Sequence, residues 1–151
     1  MATRATIALQ NEDYTVTSIY THWGGMPSHM GKMMLNHYNT PQKLQKLLEQ
    51  GNASSVYESI GEKHNFEGER PKGQCTFYGR DRGDTGQEAQ THPNLKEYLK
   101  APQGRAQEGD YCYVLTKRGW YFGECTGEDI QLQKLTKQHT TEKPRTASLA
   151  F

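Results

Sequence analysis

Tyr14 to Trp23 alternates polar positions with β-branched and aromatic ones. Tyr14, Val16, Ser18, Tyr20 and His22 fall on one face of an extended strand; Thr15, Thr17, Ile19, Thr21 and Trp23 fall on the other. Thr3 to Leu9 reads as an earlier strand, and the turn cluster Asn11-Glu12-Asp13 joins the two as an N-terminal hairpin. Gly24-Gly25-Met26-Pro27 stops the second strand. The period then becomes helical. Ser28 is placed as the N-cap of a helix over 29–38, with Met30, Met33, Met34 and Tyr38 near one face. Thr40 caps a second helix over 40–50, with Pro41 at its first position, Leu44, Leu47 and Leu48 inward, and Gly51 past its end.

Beyond Gly51 the pattern weakens. Ser54 to Gly61 predicts one short helical turn around Val56 and Ile60, and residues 62–73 read as a polar loop. Cys75 to Tyr78 is a short strand running into Gly79-Arg80-Asp81-Arg82-Gly83-Asp84. Thr91 is expected to cap a helix through Leu99, with Pro93 in its first turn. Asp110 to Thr116 and Trp120 to Cys125 form a hairpin at Lys117-Arg118-Gly119; a two-residue Arg118-Gly119 turn sets Cys112 opposite Cys125, and a three-residue turn does not. The expectation is an α+β fold: an antiparallel sheet of about five strands, with three helices (29–38, 40–50, 91–99) packed against it. Residues 1–127 form the single domain, and 128–151 a weak helix around Ile130, Leu132 and Leu135 followed by a mobile C-terminal tail.

Composition sharpens this picture. Leu, Ile, Val and Phe together make only ~15 % of the chain, and net charge is +1. Nine Tyr, four Phe and two Trp supply the missing apolar area, since each ring can bury ~150–250 Å². Tyr111, Tyr113, Trp120 and Phe122, at strand spacing, are therefore read as core. A core this thin favours a partner chain, so a homo-oligomer is expected. No apolar run reaches the ~18–20 residues of a membrane helix, and no secretory leader opens the sequence. Three cysteines fit a reducing cytosol better than a disulfide scaffold. Near-neutral charge disfavours a nucleic-acid partner.

Two constellations carry candidate chemistry. In the first, a strand ends at His22-Trp23-Gly24-Gly25 and a helix starts at once through Ser28, His29 and Lys32. Free amides and the dipole at a helix start favour an anion, though the spacing matches neither the Walker nor the dinucleotide fingerprint. In the second, Tyr78-Gly79-Arg80-Asp81-Arg82 sets aromatic faces beside two guanidinium groups, the pairing that a nucleobase and phosphate require. His22, His29, His37 and His64 have no metal-site spacing, so neither metal nor cofactor is expected. No nucleophile elbow or carboxylate pair is identifiable.

Met1-Ala2-Thr3-Arg4-Ala5-Thr6-Ile7, Ser18 to Gly31, Leu35-Asn36-His37-Tyr38-Asn39-Thr40 and Phe77 to Gly83 resemble a group of small proteins encoded by tailed bacteriophages. The likeness covers roughly residues 1–125; the group commonly has an acidic residue where this chain has Gly24. The resemblance implies a phage accessory protein in the host bacterial cytoplasm. Together with the two constellations it suggests an anti-defence sponge for a nucleotide-derived immune signal, either cyclic ADP-ribose-type or cyclic oligonucleotide. In this reading Trp23 and Tyr78 stack on a base. Arg80, Arg82, Lys32 and the amides around Gly24, Gly25 and Ser28 hold phosphates. Tyr20, His22, His29 and His37 bond ribose hydroxyls, and Arg4 contributes from the neighbouring strand. The alternatives are a small hydrolase that degrades the signal and a protein-binding inhibitor of a host restriction or CRISPR effector.

Overall fold

The computed structural model describes residues 2–141. The N-terminal hairpin forms as its alternation predicts: β1 (Ala5–Gln10) pairs antiparallel with β2 (Val16–Thr21), and Ile7 lies opposite Ile19. The rest of the sheet differs from the expectation. It has eight strands and mixed direction, where about five antiparallel strands were predicted. β3 (Ala53–Ser55) joins β2 in parallel, and β4 (Thr76–Phe77) joins β3 antiparallel. β5 (Gln90–His92) pairs with β2 over Val16 to Ser18. On the other edge, β6 (Tyr111–Thr116) runs parallel to β1, followed by β7 (Gly119–Glu124) and β8 (Gln133–Lys134), each antiparallel to its predecessor. Both parallel pairs arise through long crossovers, which leave no local turn signal in a sequence.

Layers of helix cover both faces. A π-helical turn at Pro27–Gly31 continues into α1 (Lys32–His37), and α2 (Pro41–Leu48) follows. Met30, Met34, Leu44 and Leu47 pack from these onto Ile7, Ile19, Tyr113, Trp120 and Phe122. The other face is closed by α4 (Leu95–Leu99) and the 3-10 turn Arg105–Glu108, whose Tyr98 and Ala106 meet Ala8, Val16, Cys112 and Val114. The aromatic pair Tyr113–Phe122 and the pair Leu115–Trp120 sit in register across β6 and β7, so rings fill much of the core volume.

Several local expectations change. The first helix is not capped by Ser28: Met26 takes the N-cap position and Pro27 starts the helix, without a side-chain cap. Thr40 does cap α2, its hydroxyl accepting the Lys43 amide at 3.2 Å. Thr91 lies in β5, and Asn94 caps the shorter α4 by accepting the Glu97 amide at 2.9 Å. Ser54 to Gly61 forms no helical turn, because Ser54 and Ser55 belong to β3. Tyr78, expected to end the strand, instead opens α3 (Tyr78–Arg82), closed by Gly83 at φ 82°. Lys117-Arg118 make the β6–β7 turn, so Cys112 faces Gly123 and not Cys125. The weak helix expected over 128–138 is absent. That segment carries β8 and the 3-10 turn Lys137–Thr140, and buries Ile130 and Leu135 against the sheet. The apolar signal there was sound, but its period was not helical. The tail beyond residue 141, including Leu149 and Phe151, lies outside the described residues.

Candidate functional site

The Arg80–Asp81 pair organises this region from inside the protein. All five N–H groups of Arg80 reach an oxygen. Nε and Nη2 donate to the Asp81 carboxylate at 2.9 and 3.1 Å, Nη1 to the carbonyls of Ile60 and Gly61 at 2.9 and 3.1 Å, and Nη2 also to Cys75 at 3.0 Å. The guanidinium lies 4.8 Å from the Phe77 ring centre. Asp81 in turn accepts the amides of Phe77 at 2.8 Å and His64 at 3.0 Å. Arg80 therefore has no donor left for a phosphate, which corrects its assignment as a ligand. Its role is to pin the 56–74 loop to the end of the sheet.

That loop builds a cleft of about 300 Å³ with Trp23. Trp23 follows β2, held by its amide on the Ser54 carbonyl at 3.0 Å, and its ring is 48 % exposed. Tyr57 (40 % exposed), Arg70 and Lys72 face the same space. Arg70 Nη1 donates to the hydroxyls of Ser54 at 3.2 Å and Ser55 at 3.4 Å, leaving Nε and Nη2 available, and its guanidinium covers Phe66 at 4.8 Å. No carboxylate is among the lining residues. The cleft thus offers an exposed indole, a phenol ring and two cations. Exposed rings of this kind suit stacking by a flat group, and guanidinium and ammonium groups suit an anion.

The predicted residues divide around this cleft. Tyr20 and His22 flank Trp23: the Tyr20 hydroxyl meets His22 Nδ1 at 2.8 Å, and the His22 ring packs edge-on to Trp23 at 4.9 Å. Burial pushes the Tyr20 phenol up, against the pull of Arg4, so the hydroxyl stays protonated. Tyr78 and Arg82 continue outward from Phe66. The Arg82 guanidinium lies 4.5 Å from the Phe66 ring and 5.0 Å from that of Tyr78, and it grips Asp84 with Nη2–Oδ2 at 2.7 Å. Arg82 is thus half-committed, and Tyr78 presents its ring to an arginine before any base.

The glycine turn serves packing. Gly24 has φ 71°, and a Cβ there would lie 2.7 Å from the His29 ring. Gly25 donates its amide to the Thr3 carbonyl at 2.8 Å and accepts the Tyr113 hydroxyl at 2.6 Å; a Cβ would lie 2.8 Å from the Arg4 backbone. The amides of His29 and Met30 return to Met26 at 3.0 and 2.8 Å. These bonds answer several of the groups on which an anion cradle at Ser28 was predicated. His29 bonds the Val56 carbonyl at 2.9 Å through Nε2 and packs its ring on Tyr57 at 5.1 Å, so it supports the cleft wall. Lys32 and His37 are exposed on α1. Arg4 is exposed and pairs with Asp110 at 3.8 Å.

His64 lies 3.2 Å from the Thr76 hydroxyl and 3.6 Å from Asp81. Among the described residues no group of three His, Cys, Asp or Glu side chains could hold a metal ion. Tyr57, Arg70 and Lys72 were not singled out in the sequence: Tyr57 falls in the helical turn expected over 54–61, and Arg70 and Lys72 in the polar loop 62–73, where the only available signal was an arginine and a lysine flanking Pro71. No helix among the described residues is long and apolar enough to cross a membrane. No protein-family model, curated protein or solved structure matches the chain.

Proposed function

We propose that the chain binds and sequesters a nucleotide-derived immune signal, of the cyclic ADP-ribose or cyclic oligonucleotide type, without cleaving it. It would act as a phage anti-defence protein in the host bacterial cytoplasm. The observation that carries the reading is the Trp23 cleft: an indole 48 % exposed beside Arg70 and Lys72, with no acid among the lining residues. Exposed aromatic area is costly in water and is useful where a flat ligand covers it. In the revised assignment Trp23 stacks on a base, Arg70 and Lys72 hold phosphate, and Tyr20 and His22 bond ribose hydroxyls. Arg80 and His29 position the loop that carries the cations.

A cleft of about 300 Å³ stands at the lower end of small-molecule sites, enough for one nucleotide unit. A messenger with two such units requires two clefts, so the reading includes a homo-oligomer whose protomers share the ligand. The Tyr20–His22 pair favours the hydrolytic alternative, since a phenol on Nδ1 leaves Nε2 to exchange a proton with a ligand. One experiment separates the two. The protein is incubated with a cyclic dinucleotide or a cyclic ADP-ribose, washed and denatured, and the released material is identified by mass spectrometry. Intact ligand retained in stoichiometric amount supports sequestration. Products, in the wash or in the released material, support hydrolysis, and unaltered ligand recovered wholly in the wash contradicts both.

A further inference from the structure

A second cavity, of about 510 Å³, lies on the α4 side of the sheet, away from Trp23. It opens between the β1–β2 turn and the β6–β7 turn. Tyr14 and Tyr121 wall it, Leu95 and Leu132 supply apolar surface, and Lys117 and Arg118 stand at its edge. The Lys117 ammonium lies 5.6 Å from the Tyr14 ring centre. Lys134, opposite Tyr121 in the β7–β8 register, places its ammonium 5.0 Å from the Tyr121 ring and also reaches the Arg118 carbonyl. No carboxylate is among the lining residues. Tyr14 is 61 % exposed and, among the described residues, the one non-glycine residue with positive φ, at 68°.

That last combination is unfavourable twice over. A left-handed backbone disfavours a bulky side chain, and turns of this kind take Asn or Gly at lower cost. Exposing the ring recovers nothing for the fold. A strained residue presenting an aromatic face to a cavity points to a ligand that uses the face. We infer that this cavity is a second binding site, independent of the Trp23 cleft, for a planar aromatic ring bearing a phosphate, the class of a nucleoside monophosphate. The two tyrosines and two leucines cover the ring, and Lys117 and Arg118 neutralise the phosphate. The volume falls within the range of formed small-molecule sites.

The test is an amide-resolved NMR titration of the full chain with AMP, with adenosine and inorganic phosphate as separate probes. Saturable shifts at the Tyr14, Lys117 and Arg118 amides are expected with AMP, and weaker ones with either half. Tyr14→Asn, which suits the left-handed backbone, loses at least tenfold in affinity with an unchanged or higher melting temperature. Lys117→Ala with Arg118→Ala loses as much, and Trp23→Ala leaves these shifts intact. The inference is overturned if millimolar AMP moves none of the three amides, if phosphate alone reproduces the effect, or if Tyr14→Asn binds as tightly as the parent. Failure of the Trp23 cleft would show separately, at the Trp23 and Arg70 amides.

Discussion

Arg80 and Asp81, adjacent in sequence, form a two-point ion pair at 2.9 and 3.1 Å, with the carboxylate fully buried and the guanidinium 15 % exposed. Five backbone groups from the 60–77 region, three carbonyls and two amides, converge on the two side chains. Removing one partner leaves the other charge buried without its counterpart, which typically costs ~3–5 kcal/mol. Arg80→Ala is expected to lower stability by about 3 kcal/mol. Arg80→Lys recovers only part, because one ammonium cannot reach all four acceptor groups. Urea denaturation reads both, and a loss within ~0.5 kcal/mol, the range of an ordinary surface change, would contradict the anchoring role.

Acid should lower the stability of the protein in two separable pH windows. Burial pushes the Asp81 carboxyl up, but the bonds from Arg80, Phe77 and His64 outweigh it and hold it below the ordinary value. Its contribution is complete above the unfolded carboxyl value near ~3.9 and is lost as pH falls below that toward the folded value. His92, bonded to Ser18 at 2.8 Å, is pushed down by burial and then by Arg105. Its contribution is present above the unfolded histidine value near ~6.5 and falls away as pH drops through it. Stability measured from pH 8 to 3 should therefore decline first near neutrality and again below about pH 4. His92→Gln removes the first decline; Asp81→Asn reduces the second, to which Asp13 and Asp84, also held below the ordinary value by their hydrogen bonds, contribute.

The three thiols should react in order. Cys125 is half-buried with its Sγ on the Ala106 carbonyl at 3.1 Å, and the neighbouring Cys112 thiol pulls its own below the ordinary value. The neighbouring Cys125, with burial, pushes Cys112 well up; burial pushes Cys75 up. Iodoacetamide at pH 8 should label Cys125 alone in the native protein, and all three after unfolding. Equal native labelling of Cys75 would show that the loop anchored by Arg80 is open.

Local chemistry made part of this molecule legible. Thr40, Pro41 and the leucine spacing fixed α2, and the alternation from Val16 to Thr21 fixed β2. The parallel pairings of β1 with β6 and β2 with β3 left no trace, since partners separated by long crossovers share no turn. The Arg80-Asp81-Arg82 run was visible but its role was not. Whether an arginine faces solvent or five oxygens depends on where residues 60–61 and 75 return in space. Trp23 was identified because a tryptophan beside glycines at a strand end has little core to enter. Arg70 and Lys72 were not, because a polar loop has no period to mark which charges point inward.

The most direct measurement of ligand binding at Trp23 is its fluorescence. The other indole, Trp120, is 3 % exposed and donates to the Tyr38 carbonyl at 3.1 Å, so an accessible signal belongs to Trp23. Titration with a cyclic dinucleotide or a cyclic ADP-ribose should quench that signal saturably. Trp23→Phe should abolish the quenching, and Arg70→Ala with Lys72→Ala should weaken binding at least tenfold, in line with ~1–3 kcal/mol for a stacked base and its phosphate contacts. No saturable quenching at millimolar ligand, or quenching that persists in Trp23→Phe, would contradict nucleotide capture at this cleft.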